Sequence, residues 1–279
     1  MNLKTMLNEG QFISAPGVFD PLSARVAESS GARTLYMTGY GVSASLLGKP
    51  DAGLVSYREM VDRVRGICEV TESPLIADGD TGFGGLANVR QAVQGYEAAG
   101  ASAIQLEDQE YPKRCGHTKN RKVIPAEEMV RKIKVAALSR ASSDFLIIAR
   151  TDARTEHGLA EAMHRSEAYI KAGADVLFLE SPESVDEMRS IAEQFPETPK
   201  LANMVAGGKT PQLTDRELRD LGYQIVIHPV YLLGAAVSGM RAAMSQLVEQ
   251  GAALTTVADL EDLNTLVDFP AVWALDEFD

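Results

Sequence analysis

The sequence predicts an α/β fold: one (β/α)8 barrel domain spanning residues 1–279, of which 252–279 form a C-terminal helical tail. Three observations predict it. First, short apolar runs alternate with helical stretches along the whole chain, and such runs read as buried parallel strands. Second, run after run ends in polar residues. Residues 74–77 lead into Asp78-Gly79-Asp80, 102–106 into Glu107-Asp108, and 145–149 into Arg150-Thr151-Asp152, while 176–179 end in Glu180 and Leu201-Ala202 in Asn203. Parallel strands point one way, so these polar ends gather on one face, the face where such barrels carry their chemistry. Third, the helix-to-strand junctions repeat one signal: Ser30-Gly31-Ala32, Ala99-Gly100-Ala101, Ala172-Gly173-Ala174 and Leu221-Gly222. Glycine there takes the left-handed cap that ends a helix before the next strand.

The units count through in order. Strands fall at 13–18, 34–37, 74–77, 102–106, 145–149, 175–179, 201–202 and 224–227. The helix between the second and third strands opens on Ser56-Tyr57-Arg58-Glu59, a capping box, and buries Met60, Val61, Val64, Ile67 and Cys68. The next, at 86–99, buries Val89, Val93 and Tyr96; another starts with Pro125 at its first position. Helices follow from Leu159 and from Ser184, a second capping box at Thr214-Asp215-Arg216-Glu217 opens the one before strand eight, and the last runs to Glu249. A doubly wound open sheet shows the same alternation, but eight countable units favour the barrel. The tail carries Leu254, Val257, Leu260, Leu263, Leu266, Val267, Phe269, Val272, Trp273 and Leu275, too apolar for a disordered end; it packs under its own barrel or on a neighbouring subunit.

Composition narrows the function. A net charge of -12 argues against nucleic acid, which needs basic patches, without excluding an anionic substrate. Two cysteines, Cys68 and Cys115, make a disulfide scaffold unlikely. The first residues lack a signal peptide's apolar centre and no run is long enough to span a membrane, so a cytoplasmic protein is expected.

Asp78-Gly79-Asp80 places two carboxylates at one strand end and Glu107 and Asp108 at the next. Such acids repel one another unless a cation lies between them, and hard oxygen donors suit a divalent ion; helix capping and loop hydrogen bonds are the alternative. Cys115 sits in a polar loop beside Lys113, Arg114 and His117, cations that lower a thiol's pKa, although an incidental exposed thiol would look the same. The glycines around it permit loop movement, as in a gate closing over substrate. In Tyr36-Met37-Thr38-Gly39-Tyr40-Gly41 the glycines leave backbone amides for a carboxylate, or make a tight turn. Arg150 is the natural bidentate partner for a substrate carboxylate, or a structural partner of Asp152 or Glu180. Among the other histidines, His164 reads as solvated, His157 as a loop residue, and His228 faces the active end of the barrel.

These residues resemble the isocitrate lyase and phosphoenolpyruvate mutase superfamily over nearly the full chain. The resemblance rests on Tyr36-Met37-Thr38-Gly39-Tyr40-Gly41, the run from Asp78 to Gly84, Glu107-Asp108-Gln109, Lys113-Arg114-Cys115-Gly116-His117, Ala149-Arg150-Thr151-Asp152-Ala153 and Leu201-Ala202-Asn203. The run around Cys115 is similar to that of the carbon–carbon lyases, and the length suits the short 2-methylisocitrate and 2,3-dimethylmalate lyases. The resemblance implies a TIM-type barrel and Mg2+-dependent retro-aldol cleavage of a substituted 2-hydroxy di- or tricarboxylate to pyruvate and a second acid. It implies Mg2+, or Mn2+ in its place, on Asp78, Asp80 and Glu107, partly through water, with Asp51 nearby. Thr38, Gly39, Tyr40, Gly116 and Asn203 would bind substrate. Tyr36 would take the hydroxyl proton, Cys115 would protonate the departing carbon with His117 tuning it, and Arg150, Glu180 and Asn203 would orient charged groups. A homotetramer is implied, with the last barrel helix and tail swapped between paired subunits. The runs Ser181-Pro182 and Met204-Val205-Ala206-Gly207-Gly208 look closer to dimethylmalate lyases and oxaloacetate hydrolases than to a typical 2-methylisocitrate lyase. Oxaloacetate hydrolysis or decarboxylation, and more distantly a phosphonate mutase-type reaction, are the alternatives; a non-catalytic oligomeric binding protein would have no need to hold like charges together.

Overall fold

The computed structural model describes residues 2–116, 121–251 and 257–276. Helix α1 (Leu3–Asn8) precedes the first strand, β1 (Ile13–Val18). There follow α2 (Pro21–Ser29), β2 (Leu35–Met37), the short α3 (Gly39–Val42) with a π-helical turn at Ser43–Leu47, α4 (Tyr57–Cys68) and β3 (Leu75–Asp78). Next come α5 (Leu86–Ala98), β4 (Ala103–Glu107), α6 (Ala126–Ser139), β5 (Leu146–Thr151), α7 (Ala153–Ala172), β6 (Val176–Leu179) and α8 (Val185–Gln194). The chain ends with β7 (Leu201–Asn203), α9 (Asp215–Asp220), β8 (Ile225–His228), α10 (Tyr231–Gln250), α11 (Leu260–Leu266) and α12 (Phe269–Leu275).

The eight strands form one parallel sheet in the order β6-β5-β4-β3-β2-β1-β8-β7. A single bridge between Leu177 and Lys200 joins β6 to β7 and nearly closes the ring. This is the expected TIM-type (β/α)8 barrel. The capping boxes at Ser56 and Thr214 are both formed, and Gly31, Gly100, Gly173 and Gly222 all take positive φ at their junctions.

The strands run further than the apolar runs suggested. Asp78, Glu107, Arg150, Thr151, Asn203 and His228 are strand residues, because ladder hydrogen bonds use the backbone and tolerate a polar side chain at the mouth. Pro125 is the N-cap of α6 rather than its first residue, and α7 starts at Ala153, broken at Gly158 (φ 83°), rather than at Leu159. Helix α1, absent from the sequence reading, plugs the N-terminal end of the barrel with Leu3 and Met6.

Side chains alternate across a strand, so each strand sends every second residue into the barrel. The inward set is apolar at the bottom: Ile13, Ile76, Ala103, Leu146, Val176, Leu201 and Ile225 pack with Leu3 and Met6. The outward set, including Leu75, Ala77, Ile104, Leu106, Ile147 and Ala149, packs under the helices with Val64, Val93 and Ile133. Helix α10 and the two tail helices cover little of their own barrel. Met240, Met244, Val248, Val272, Trp273 and Leu275 are exposed, and Arg25 Nη1 donates to the Leu266 carbonyl at 3.2 Å. Among the described residues no helix is long and apolar enough to cross a membrane.

Candidate active site

The alternation that makes the core also makes the site. Following the inward parity upward, Ile76 gives way to Asp78, Gln105 to Glu107, Ile148 to Arg150, and Leu201 to Asn203. Register then sets Asp78 beside Gln105 and Glu107 beside Arg150. Above this ring lies a cavity of about 750 Å³. Tyr36, Asp78, Glu107, Arg150 and Asn203 line its floor; Asp51, Lys113, Cys115 and Gly116 come from loops, and Met204, Ile227, Val230 and Leu233 form an apolar wall.

Asp78 is fixed on both oxygens. Oδ2 accepts from the Gly39 amide (3.2 Å), and Oδ1 accepts from the Asp80 amide (3.1 Å) and Gln105 Nε2 (3.3 Å). Gly79 permits this turn: a Cβ there would lie 2.6 Å from Ile104 Cγ1. Asp80 follows in the left-handed region (φ 48°), which aspartate tolerates better than most residues. Gln105 also accepts from Tyr36 Oη (3.1 Å), so one amide side chain ties the phenol to the acidic cluster. Burial pushes the Tyr36 phenol well above its ordinary pKa, and Asp78 adds to this while Arg150 and Lys113 oppose it.

Lys113 and Cys115 line the same cavity. The buried Lys113 ammonium bridges Asp51 Oδ1 (2.5 Å) and Asp80 Oδ1 (2.7 Å), a cation already inside the acidic cluster. Even so, burial, helped by Asp78 and Asp51, raises the Asp80 pKa to about 7 against the pull of Lys113. Burial likewise raises Glu107 well above the carboxylate range in spite of Arg150.

Arg150 is surrounded by carboxylates. It makes a fork with Asp152 (Nε to Oδ2 2.9 Å, Nη2 to Oδ1 3.0 Å) and lies within 3.3 Å of Glu107 and 3.4 Å of Glu180. Its guanidinium sits over the Phe178 ring, 5.0 Å from the centroid. Glu180 accepts from Asn203 Nδ2 (3.2 Å) and Ser181 Oγ (3.0 Å). The Cys115 loop presses onto this group. A Cβ on Gly116 would collide with Arg150 and come within 3.0 Å of the Glu180 carboxyl. Gln109 anchors the loop by reading both backbone groups of Arg114, at 3.0 and 2.9 Å.

The structure thus brings Tyr36, Thr38, Tyr40, Asp51, Asp78, Glu107, Cys115, Gly116, Arg150 and Asn203 to one cavity. Asp80 sits behind Lys113 and Glu180 behind Arg150. The glycine amides are not open as expected: Gly39 donates to Asp78, and Gly41 to Thr38 Oγ1 (3.3 Å). His228 points away from the cavity, 4.0 Å from Asp215. His117 lies outside the described residues. The sequence reading passed over Gln105, whose inward parity between Ala103 and Glu107 was the available signal, and it gave Asp108 and Asp152 no role beyond the acidic cluster and a partner for Arg150.

The residues present suit a divalent ion. Glu107 Oε1 is buried without a hydrogen-bond partner, and Asp78 and Asp51 offer hard oxygens to the same cavity. Among the described residues no group of three His, Cys, Asp or Glu side chains is placed to hold an ion by itself.

The chain is similar to known proteins over nearly its whole length. The phosphoenolpyruvate phosphomutase family model matches residues 3–248. A 2,3-dimethylmalate lyase of Eubacterium barkeri is 45% identical over 95% of this chain and 92% of its own. A 2-methylisocitrate lyase of Aeropyrum pernix is 40% identical over 96% of this chain and 84% of its own. A crystal structure of 2,3-dimethylmalate lyase superposes with a TM-score of 0.94 at 37% identity, covering 98% of this chain and 92% of that one. Phosphonopyruvate hydrolase, solved with oxalate and Mg2+, gives 0.89 at 31% identity, covering 99% and 97%. The chain belongs to the phosphoenolpyruvate mutase/isocitrate lyase superfamily and is a carbon–carbon lyase of it.

Proposed function

We propose that the chain cleaves a branched 2-hydroxy dicarboxylate of the 2,3-dimethylmalate type, or a 2-methylisocitrate-type tricarboxylate, to pyruvate and a second carboxylic acid. The observation that carries this reading is the cavity itself, which sets acidic oxygens, Arg150 and a thiol against an apolar wall of Met204, Ile227, Val230 and Leu233. The ionic half suits a hydroxy acid and the apolar half suits an alkyl branch.

Asp78 and Glu107, with Asp80 and Asp51, would hold Mg2+, or Mn2+ in its place, which supplies Lewis acidity toward the substrate hydroxyl and carboxylate. Thr38 and Tyr40 line the end of the cavity proposed for the keto-acid carboxylate, and Gly39 lies between them with its amide on Asp78. Tyr36 would take the hydroxyl proton only as the phenolate. Burial and Asp78 keep the phenol protonated while Arg150 and Lys113 pull the other way, so its own proton must first leave to solvent before the site closes over substrate. The carbon–carbon bond then breaks, the hydroxyl carbon becomes the ketone, and the bonding pair stays on the other fragment as an enolate-like dianion. Cys115 protonates that carbon, with His117 tuning the thiol. Arg150, Glu180, Asn203 and Gly116 orient the charged fragment; fixed charges of this kind act where charge develops.

The assembly proposed is a cytoplasmic homotetramer of single-barrel chains. Helix α10 and the tail leave Met240, Met244, Val272 and Trp273 exposed, a surface a second copy would cover by exchanging these helices. Oxaloacetate hydrolysis or decarboxylation is the second reading, favoured by the Asp51–Lys113–Asp80 group, which is polar enough to hold a water.

The test is pyruvate release with Mg2+ from 2,3-dimethylmalate, 2-methylisocitrate, 2-methylmalate and oxaloacetate, for wild type and Cys115→Ser. One branched substrate should be cleaved, and the serine variant should lose about 10²- to 10⁴-fold, the range of general-acid catalysis. Turnover of oxaloacetate alone, indifferent to the serine, would select the second reading.

A further inference from the structure

Asp152 stands between two arginines. Its carboxylate accepts the fork from Arg150 and, on Oδ1, an ion pair from Arg121 Nη1, while Arg121 Nη2 donates to Thr155 Oγ1 at 2.5 Å. Arg121, Asp152 and Arg150 are all buried. The Asp152 backbone is held as well: its amide donates to Asp108 Oδ1 (2.9 Å). Asp108 Oδ2 in turn accepts from Thr151 Oγ1 (2.7 Å), Tyr169 Oη (2.8 Å) and Arg165 Nη1 (3.2 Å). A chain of hydrogen bonds therefore runs from α7, outside the barrel, through Asp108 and Asp152 to the guanidinium inside it.

We propose that Asp152 is the positioning residue for Arg150, with Arg121 securing it from the far side. Three carboxylates compete for Arg150, but only Asp152 takes two parallel bonds, so it alone sets the plane of the guanidinium. Glu107 and Glu180 lie farther off, at 3.3 and 3.4 Å. The fork uses Nε and one hydrogen of Nη2, which turns Nη1 toward other partners.

This inference rests on the reading of the substrate as a carboxylate, and oxalate serves as the probe. Oxalate binding, measured calorimetrically with Mg2+ present, is combined with kcat and KM for the cleaved substrate. Asp152→Asn should weaken oxalate about tenfold and lower kcat about a hundredfold, with a smaller change in KM, the scale expected of a misplaced orienting group. Arg121→Met should act in the same direction, at about a tenth of that loss in kcat. In an Arg150→Lys background, Asp152→Asn should cost almost nothing further, since residues acting as a unit are not additive. Arg140→Met, which breaks a pair at the opposite end of the barrel, should lower Tm and leave kcat and oxalate affinity unchanged. An Asp152→Asn protein with lowered Tm but wild-type kinetics, or additive losses in the double variant, would overturn the proposal. If Asp152→Asn does not fold, Arg121→Met decides alone, and wild-type kinetics there overturns it. Failure of the wild type to bind oxalate would instead sink the carboxylate reading, and the wild type shows that without any variant.

Discussion

At the N-terminal end of the barrel Lys200 is buried but donates to the carbonyl oxygens of Phe195 (2.7 Å) and Thr198 (2.9 Å), and Arg140 pairs with Asp175 at the start of β6. At the C-terminal end Asp51, Asp78, Asp80, Glu107, Asp152 and Glu180 crowd around Lys113, Arg121 and Arg150. The same strands build both ends. One end satisfies each buried charge locally, and the other holds more acid than its cations answer. An excess of buried like charge costs stability and is retained where something binds. The difference separates the residues that hold the barrel from those that use it.

The sharpest way to break this comparison is at Gly116. The alanine methyl has no room against Arg150 and the Glu180 carboxyl. Gly116→Ala should lower kcat/KM about a hundredfold, as a displaced orienting group does, with little change in Tm. Unchanged kinetics would mean that the loop yields and Arg150 stays. The converse test is Lys200→Met. It removes a donor from the Thr198 carbonyl and leaves the Phe195 carbonyl only the Thr198 amide, and should cost about 1 kcal/mol of stability, read as a fall of a few degrees in Tm, with kcat and KM unmoved. A kinetic effect there would show that the two ends are coupled.

The smallest effect expected is a pH dependence. Burial holds the His228 imidazole below its ordinary pKa, with Asp215 pulling the other way. A depressed folded-state pKa means that the unfolded chain takes the proton first. The stability linked to a neutral His228 is therefore complete above about pH 6.5 and declines as pH falls toward the folded value. His228→Gln should flatten the acid side of a Tm-against-pH curve between about pH 7 and 5. A curve parallel to wild type would place the acid sensitivity in the carboxylates instead.

Much of the barrel was legible because its signals are local. Glycine at a helix end, a capping box and an apolar run each report on a few residues, and Gly31, Ser56 and Val93 behave as their neighbours dictate. Strand ends were drawn short because a charged residue was taken to end a strand, whereas Glu107 and Arg150 are paired in the ladder. The candidate site was legible as a set of residues but not as a set of partners. Lys113 read as a cation near Cys115, but its pairing with Asp51 and Asp80 depends on loop geometry that no local pattern records. The Asp152 bridge to Arg121 joins residues 31 apart, and no periodicity records such a contact.

The alternation along the strands has a consequence for how this barrel can change over evolutionary time. Ile104 and Leu106 face the helices, while Gln105 and Glu107 face the barrel interior, Glu107 at the cavity. Deleting one residue early in β4 would exchange the two sets at a stroke, putting a carboxylate under a helix and leucine beside the acids. Descendants of this chain can therefore acquire new chemistry by replacing residues at the rim, or by lengthening the loops above it, but not by slipping a strand. The barrel acts as a ruler, with its divisions set two residues apart.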